Sequence, residues 1–361
     1  MNQEYIIIDP RPLEAFKDKT FSGFKKRDVF NTLMKCIEKG LIEPACYWVT
    51  ECIVSGYSQE LFDKLVIYSS KIIHINNPRL PEFLWRRYHC FLNSFNHISK
   101  KDKSQLIHLR NTQSVRNCLF DIITTMTLSS KAKRFDKYPK INESIDFQMN
   151  IIHSKLNATM QLLPSHIIRF TDPEELKIIM NEFLFHLKNI NGGYDQACYW
   201  VAWLVQWEKK NKKQKIKFEI EERNIDEVQS KYCKDCIWLL WEVIFNETNL
   251  RDDIIQKQIQ SLYRFFRHDY TSGKRNTRLP LIYHAIGYLT LPMKLNLPIR
   301  KDHNIFLQTQ CNINLMFKGK KGNEVKNYIP PPKPVKKIIG HEKEINLSKM
   351  NTLMDIDSMN R

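Results

Sequence analysis

Ala45-Cys46-Tyr47-Trp48 and Ala197-Cys198-Tyr199-Trp200 are two copies of one tetrapeptide. Tryptophan and cysteine are rare residues, so a match that includes both is informative. Each copy follows an amphipathic stretch and a short turn carrying an acid. That turn is Leu41-Ile42-Glu43-Pro44 before the first and Gly192-Gly193-Tyr194-Asp195-Gln196 before the second. Each copy continues with apolar residues at helical spacing: Val49, Cys52 and Ile53 in one, Val201, Leu204 and Val205 in the other. The pattern predicts an all-α protein with two related multi-helix units, each built around an Ala-Cys-Tyr-Trp helix. Tyr47, Trp48, Tyr199 and Trp200 are expected in the core.

Working outward, residues 1–20 read as an N-terminal arm, with Ile6-Ile7-Ile8 extended or in a short strand and stopped by Asp9-Pro10. The first helical unit spans 21–98. Its first helix carries Val29, Leu33, Cys36 and Ile37 on one face, with Asp28 as cap and Gly40 as stop. Pro44 suits the first turn of the next helix, which ends at Gly56. Residues 99–165 read as a connecting region with a helix over 107–128 and a basic loop over 129–142. The second unit spans 166–317, opening on Thr171-Asp172-Pro173-Glu174, where Thr or Asp caps and Pro fills the first turn. Helices are expected over 196–207, 233–245, 254–266 and 280–291. From 318 to 361 the Lys- and Pro-rich sequence predicts a disordered tail.

The 361 residues carry 56 Lys and Arg against 39 Asp and Glu, a net charge of +17. That surplus points to a polyanionic partner, nucleic acid or an acidic protein. Ten glycines fall well short of the ~7% usual in globular chains, which disfavours turn-rich β folds and phosphate-cradling loops. The nine cysteines are odd in number and irregularly spaced, as reduced core thiols would be. The N-terminus reads without a signal peptide, and no apolar run has a membrane span's length, so no membrane partner is expected.

No motif names a reaction. Cys233-Lys234-Asp235-Cys236 has half a zinc site's spacing but no second ligand pair follows it, so two thiols on one helix are expected, and neither metal nor cofactor. Ser272-Gly273-Lys274-Arg275 lacks the upstream glycine and the hydroxyl residue of a Walker A loop. Two basic runs stand out instead. One is Lys209, Lys210, Lys212, Lys213, Lys215 and Lys217. The other is Arg264, Arg267, Lys274, Arg275 and Arg278, interleaved with Phe265, Phe266 and Tyr270. Cations beside rings can neutralise phosphates while a ring stacks on a base. These residues are the expected nucleic-acid contacts.

The stretch Phe21-Ser22-Gly23-Phe24-Lys25-Lys26, the Cys-Tyr-Trp helix, Ser55-Gly56-Tyr57 and Lys71 to Pro78 resemble a conserved protein family of giant, Mimivirus-like nucleocytoplasmic large DNA viruses. Cys236 to Trp241 and Arg278 to Leu289, around Tyr283-His284-Ala285-Ile286, extend that resemblance over most of residues 20–290. Residues 25–85, through Pro44 to Val49, Gly56, Ile67 to Ser70 and Asn77-Pro78, are also similar to the helical collar of RarA-type, clamp-loader-related AAA+ ATPases. The ATPase modules are missing here. The resemblances imply a non-enzymatic viral scaffold or accessory protein, capable of oligomerising and contacting nucleic acid or a nucleoprotein complex in replication, transcription or packaging. A structural virion component is the alternative. The expected location is the host cytoplasm at the viral factory, the nucleus, or the virion.

Overall fold

A computed structural model describes residues 3–94, 103–132, 139–216 and 218–330. Among them the chain is helical without strands, as expected; a lone antiparallel bridge joins Lys19 and Lys25. The helices are α1 (Lys26–Lys39), α2 (Ile42–Val54), α3 (Ser58–Ile72), α4 (Leu80–Asn93), α5 (Gln113–Leu128) and α6 (Met149–Lys155). They continue with α7 (Glu175–Lys188), α8 (Tyr194–Lys213), α9 (Ile237–Thr248), α10 (Asp253–Arg267), α11 (Ser272–Thr290) and α12 (His303–Lys320). No helix among the described residues is long and apolar enough to cross a membrane.

Local chemistry sets the boundaries. Gly40 ends α1 at φ +74°, its N–H bonding back to Cys36 and Ile37 carbonyls, a left-handed turn that glycine enters without a Cβ penalty. Asp28 lies in the first turn of α1 and does not cap it; Lys25 holds that position without a side-chain bond. Thr171 and Asp172 do not cap α7 either. Asp172 turns inward to accept from Arg223 Nη2 at 2.6 Å and from the Arg169 and Glu221 backbone N–H groups at 2.8 Å each. A buried guanidinium competes for that carboxylate better than a helix end does.

The repeated tetrapeptide occupies equivalent places. Ala45 and Ala197 are each the fourth residue of their helix, two positions after an acid, Glu43 or Asp195. The Ala, the Cys and the following Val are buried in both copies. The aromatic pair differs. Tyr199 and Trp200 are buried, Trp200 completely, whereas Tyr47 is 43% exposed and Trp48 half-buried. The expectation of four buried rings therefore fails for the first copy. On α8 the 146–147 segment covers the outer face: Tyr199 donates to Asp146 Oδ1 at 2.9 Å and Trp203 Nε1 to Asp146 O at 2.9 Å. On α2 the same face carries Phe24, edge-on to Trp48, and the Lys320 ammonium 3.6 Å from the Tyr47 ring centre.

The boundary expected between 98 and 166 does not separate two domains, because residues 1–324 form one compact unit. α3 packs on α11 and α4 on α10, while α12 crosses back onto α5 and α2. Apolar faces left open by the first four helices are thus covered by helices near the other end of the chain. At this junction the His74 and His284 rings stack 4.5 Å apart. Ser70 Oγ lies 3.0 Å from His284 Nδ1, and Tyr288 donates to Pro78 O at 2.7 Å. Gly287 leaves room for the His74 ring, which an added Cβ would strike.

The C-terminal end departs from expectation, and of the two forms expected for the N-terminal arm the strand is not taken. Asn111 brackets Ile7, accepting its N–H and donating to its carbonyl at 2.9 Å each. Lys318 does not open a tail, since it and Lys320 belong to the last turns of α12. Buried Lys320 donates to buried Glu51 at 2.7 Å. Burial would raise the Glu51 carboxyl, but Lys320, Thr20 and the Ser22 N–H together hold it below its ordinary value. The remainder of the expected tail, from 331 on, lies outside the described residues.

Candidate nucleic-acid interface

The two basic runs are distant in sequence and joined in space. α8 stays helical to Lys213, and cations in its last turns are favoured by the partial negative charge at a helix C-terminus. Lys209 and Lys212 are exposed and form no ion pair among the described residues; Lys213 is exposed and pairs with Glu143 at 3.1 Å. Lys210 is half-buried, its ammonium 4.8 Å from the Phe147 ring centre and 5.3 Å from that of Trp207, which stacks on Trp203. Lys215 is exposed just beyond the helix, and Lys217 lies outside the described residues.

The second run is mostly turned inward. Helix α11 begins at Ser272, eight residues before the expected start, and absorbs Pro280 within its length. This places Arg275 in the first turn, buried, where its Nη1 bonds Glu208 of α8 and, at 2.8 Å, Asp235 before α9. Tyr270 also donates to Asp235, at 2.7 Å. Burial opposes the charge on Arg275, but Asp235 and Glu208 more than restore it. Arg278 is buried too, and its Nη1 donates to the Phe266 and His268 carbonyls at 2.7 and 2.6 Å, satisfying the C-terminal end of α10. Arg267 pairs with Asp226 at 3.0 Å. Arg264 is half-buried with its guanidinium 5.6 Å from the Trp85 ring centre, and Lys274 is exposed, donating to Asp269 O at 3.1 Å.

Of the eleven expected contacts, Lys209, Lys212, Lys213, Lys215 and Lys274 therefore reach solvent, Lys210 and Arg264 lie against rings, Arg267 pairs with Asp226, and Lys217 lies outside the described residues. Arg275 and Arg278 are corrected to internal ties. A buried guanidinium already holding two carboxylates, or two carbonyls, has little to offer a phosphate. The Arg275–Glu208 pair has a second consequence: it fixes the first turn of α11, beside Lys274, to the residue preceding Lys209.

Sequence reasoning missed this cluster. Glu208, Asp235 and Cys236 offer donor atoms within 4.8 Å of one another. The Arg275 guanidinium bonds both carboxylates, so the cation of the cluster is the protein's own. Cys236 Sγ donates to Glu208 at 3.4 Å, and burial pushes its thiol well up. Burial and the Asp235 charge raise the Glu208 carboxyl against the pull of Arg275. Cys233 points elsewhere, to the Val228 and Gln229 carbonyls at 3.7 Å. The two thiols share no helix: Cys233 closes a 3-10 turn and Cys236 sits at the start of α9. All nine cysteines lie in the described residues, and none is in a disulfide. The available signal was Glu208 itself, an acid abutting a lysine run.

No protein-family model, curated protein or solved structure matches this chain.

Proposed function

We propose that this protein is a non-enzymatic helical scaffold that contacts nucleic acid through the lysine-rich end of α8, with Lys274 on the adjoining first turn of α11. One observation carries the reading: the Glu208–Arg275 pair brings two separate basic runs together, with Lys209, Lys212, Lys213 and Lys274 facing solvent. Lys209, Lys212 and Lys274 supply mobile point charges suited to phosphates, and such contacts are read as charge and not as sequence. Lys210 and the Phe147–Trp207–Trp203 rings behind it keep the patch on a rigid support.

The resemblance to proteins of giant DNA viruses fits this reading and supplies its setting, a nucleoprotein complex of replication, transcription or packaging. The test is fluorescence anisotropy of the full chain with a labelled single strand and a labelled duplex of equal length at low salt. Both are expected to bind, and Lys212→Glu with Lys213→Glu to weaken each by about tenfold or more. Absence of binding at low salt, or equal affinity in the double variant, would refute the assignment.

A further inference from the structure

A groove of about 710 Å³ opens between α1, α3 and the α10–α11 turn, and shares Lys274 with the basic surface described above. Its size is that of sites that enclose a small organic molecule, and far beyond what one phosphate needs. Its walls combine two chemistries. Met34, Ile67, Phe265 and Leu281 give an apolar floor, while Lys35, Lys64, Lys71 and Lys274 line the same space.

The acids of the groove are Glu60 and Asp63. Glu60 is balanced by Lys26 at 2.6 Å and Lys64 at 3.7 Å. Asp63 interacts with Arg278, His268 and Lys274. Lys35 on α1 and Lys71 on α3 form no ion pair among the described residues and add positive charge to the groove wall, against the Glu38 carboxylate that accepts from Tyr68 at 3.0 Å. Asn31 adds a neutral polar group. On the inner wall Tyr88 Oη lies 2.6 Å from His268 Nε2, and burial lowers the pKa of that imidazole. A neutral imidazole tied to a phenol shapes the wall without adding charge.

We propose that this groove binds a nucleotide, its base on the apolar floor and its phosphates at Lys35, Lys71 and Lys274. A flat heteroaromatic ring gains from the apolar floor, and each phosphate oxygen gains a charge-assisted hydrogen bond. The shared chemistry, base plus phosphate, is offered by free nucleotides and by the end of a strand. The site meets the nucleic-acid surface at Lys274, while Lys35 and Lys71 belong to the groove and the α8 lysines do not line it.

The test is calorimetric titration of the full chain with ATP, inorganic triphosphate and adenosine, repeated with a short single strand. ATP is expected to bind saturably at one site and more tightly than either fragment. Competition by the single strand that persists in Lys212→Ala/Lys213→Ala assigns the natural ligand to a strand end, and lack of competition assigns it to the free nucleotide. Lys35→Ala and Lys71→Ala, both on exposed or half-exposed side chains, should each weaken ATP by about tenfold. Met34→Trp should block the groove at an unchanged melting temperature. Lys212→Ala/Lys213→Ala should leave ATP affinity as it is, which separates this site from the nucleic-acid surface. The proposal is overturned by ATP that binds no better than triphosphate, by absence of saturation, or by unaltered affinity in both lysine variants.

Discussion

Lys212 and Lys213 at the end of α8, and Arg275 and Arg278 at the start of α11, carry equal formal charge and look alike in composition. In the folded chain they do opposite work. The lysines project from a helix end where the dipole favours them, with at most one exposed acid in reach. The arginines fold inward, one gripping Glu208 and Asp235, the other closing the end of α10. The planar guanidinium, with donors fixed in a fork, suits two acceptors at once; the ammonium on a flexible stem suits solvent and diffuse phosphate charge. Net charge thus overstates the exposed cationic surface, because part of it holds helices together.

The largest effect that would break this contrast is loss of Arg275. Arg275→Ala leaves the half-buried Glu208 and Asp235 without their buried counter-charge and should cost ~3 kcal/mol or more in urea unfolding. A cost under about 1 kcal/mol, the range of surface pairs, would place Arg275 among the exposed cations. The two Ala-Cys-Tyr-Trp helices sharpen the same contrast. Trp200→Ala empties a sealed site and should cost ~3–5 kcal/mol, whereas half-buried Trp48→Ala should cost roughly half as much. Equal melting shifts for the two would show that the first copy is covered after all.

Next in size is acid sensitivity at the junction of α3 and α11. Burial lowers the pKa of His74 to about 3 and that of His284 well below its ordinary value, so both are neutral when folded. The unfolded chain takes up these protons near pH 6.5. Stability is therefore fully present above that pH and falls as pH drops toward the folded value. The loss approaches ~1.4 kcal/mol per pH unit for each histidine. Unfolding free energies measured between pH 7 and pH 5, for the wild type and for His284→Gln, should show a steep slope that the variant reduces. A flat profile would contradict two buried neutral rings. Smaller again, Arg278→Ala uncovers two carbonyls and should cost ~1–3 kcal/mol in the same urea assay.

Much of the fold was legible in the sequence. Helix spacing, Gly40, Pro44 and Gly56 placed the α1–α2 hairpin to within two or three residues, since these signals are local. The relation of the halves was not legible. What covers Tyr47 or Tyr199 depends on segments far along the chain, the 146–147 turn in one case and α12 in the other. α12 itself was masked by its composition: Lys318 and Lys320 read as tail, yet Lys320 is the partner of Glu51. At the candidate site, position in sequence identified the basic runs but not which cations face water. That depends on Glu208 and Asp235, acids contributed by two other segments. A truncation meant to remove the tail must accordingly fall after Pro330, leaving Lys320 in place.

The lysines themselves should be nearly silent in folding, with Lys212→Ala/Lys213→Ala within ~0.5 kcal/mol of wild type. Under the proposed function their effect belongs to binding. The most direct measurement is the salt dependence of duplex binding by the full chain and by this double variant, with the chain ending at Pro330 as reference. Loss of two phosphate contacts should flatten the slope of log K against log salt by about 1.8, at ~0.9 per contact, with no change in sequence preference. An unchanged slope in the double variant, with binding lost only in the truncated chain, would contradict the account and move the contact off the folded surface.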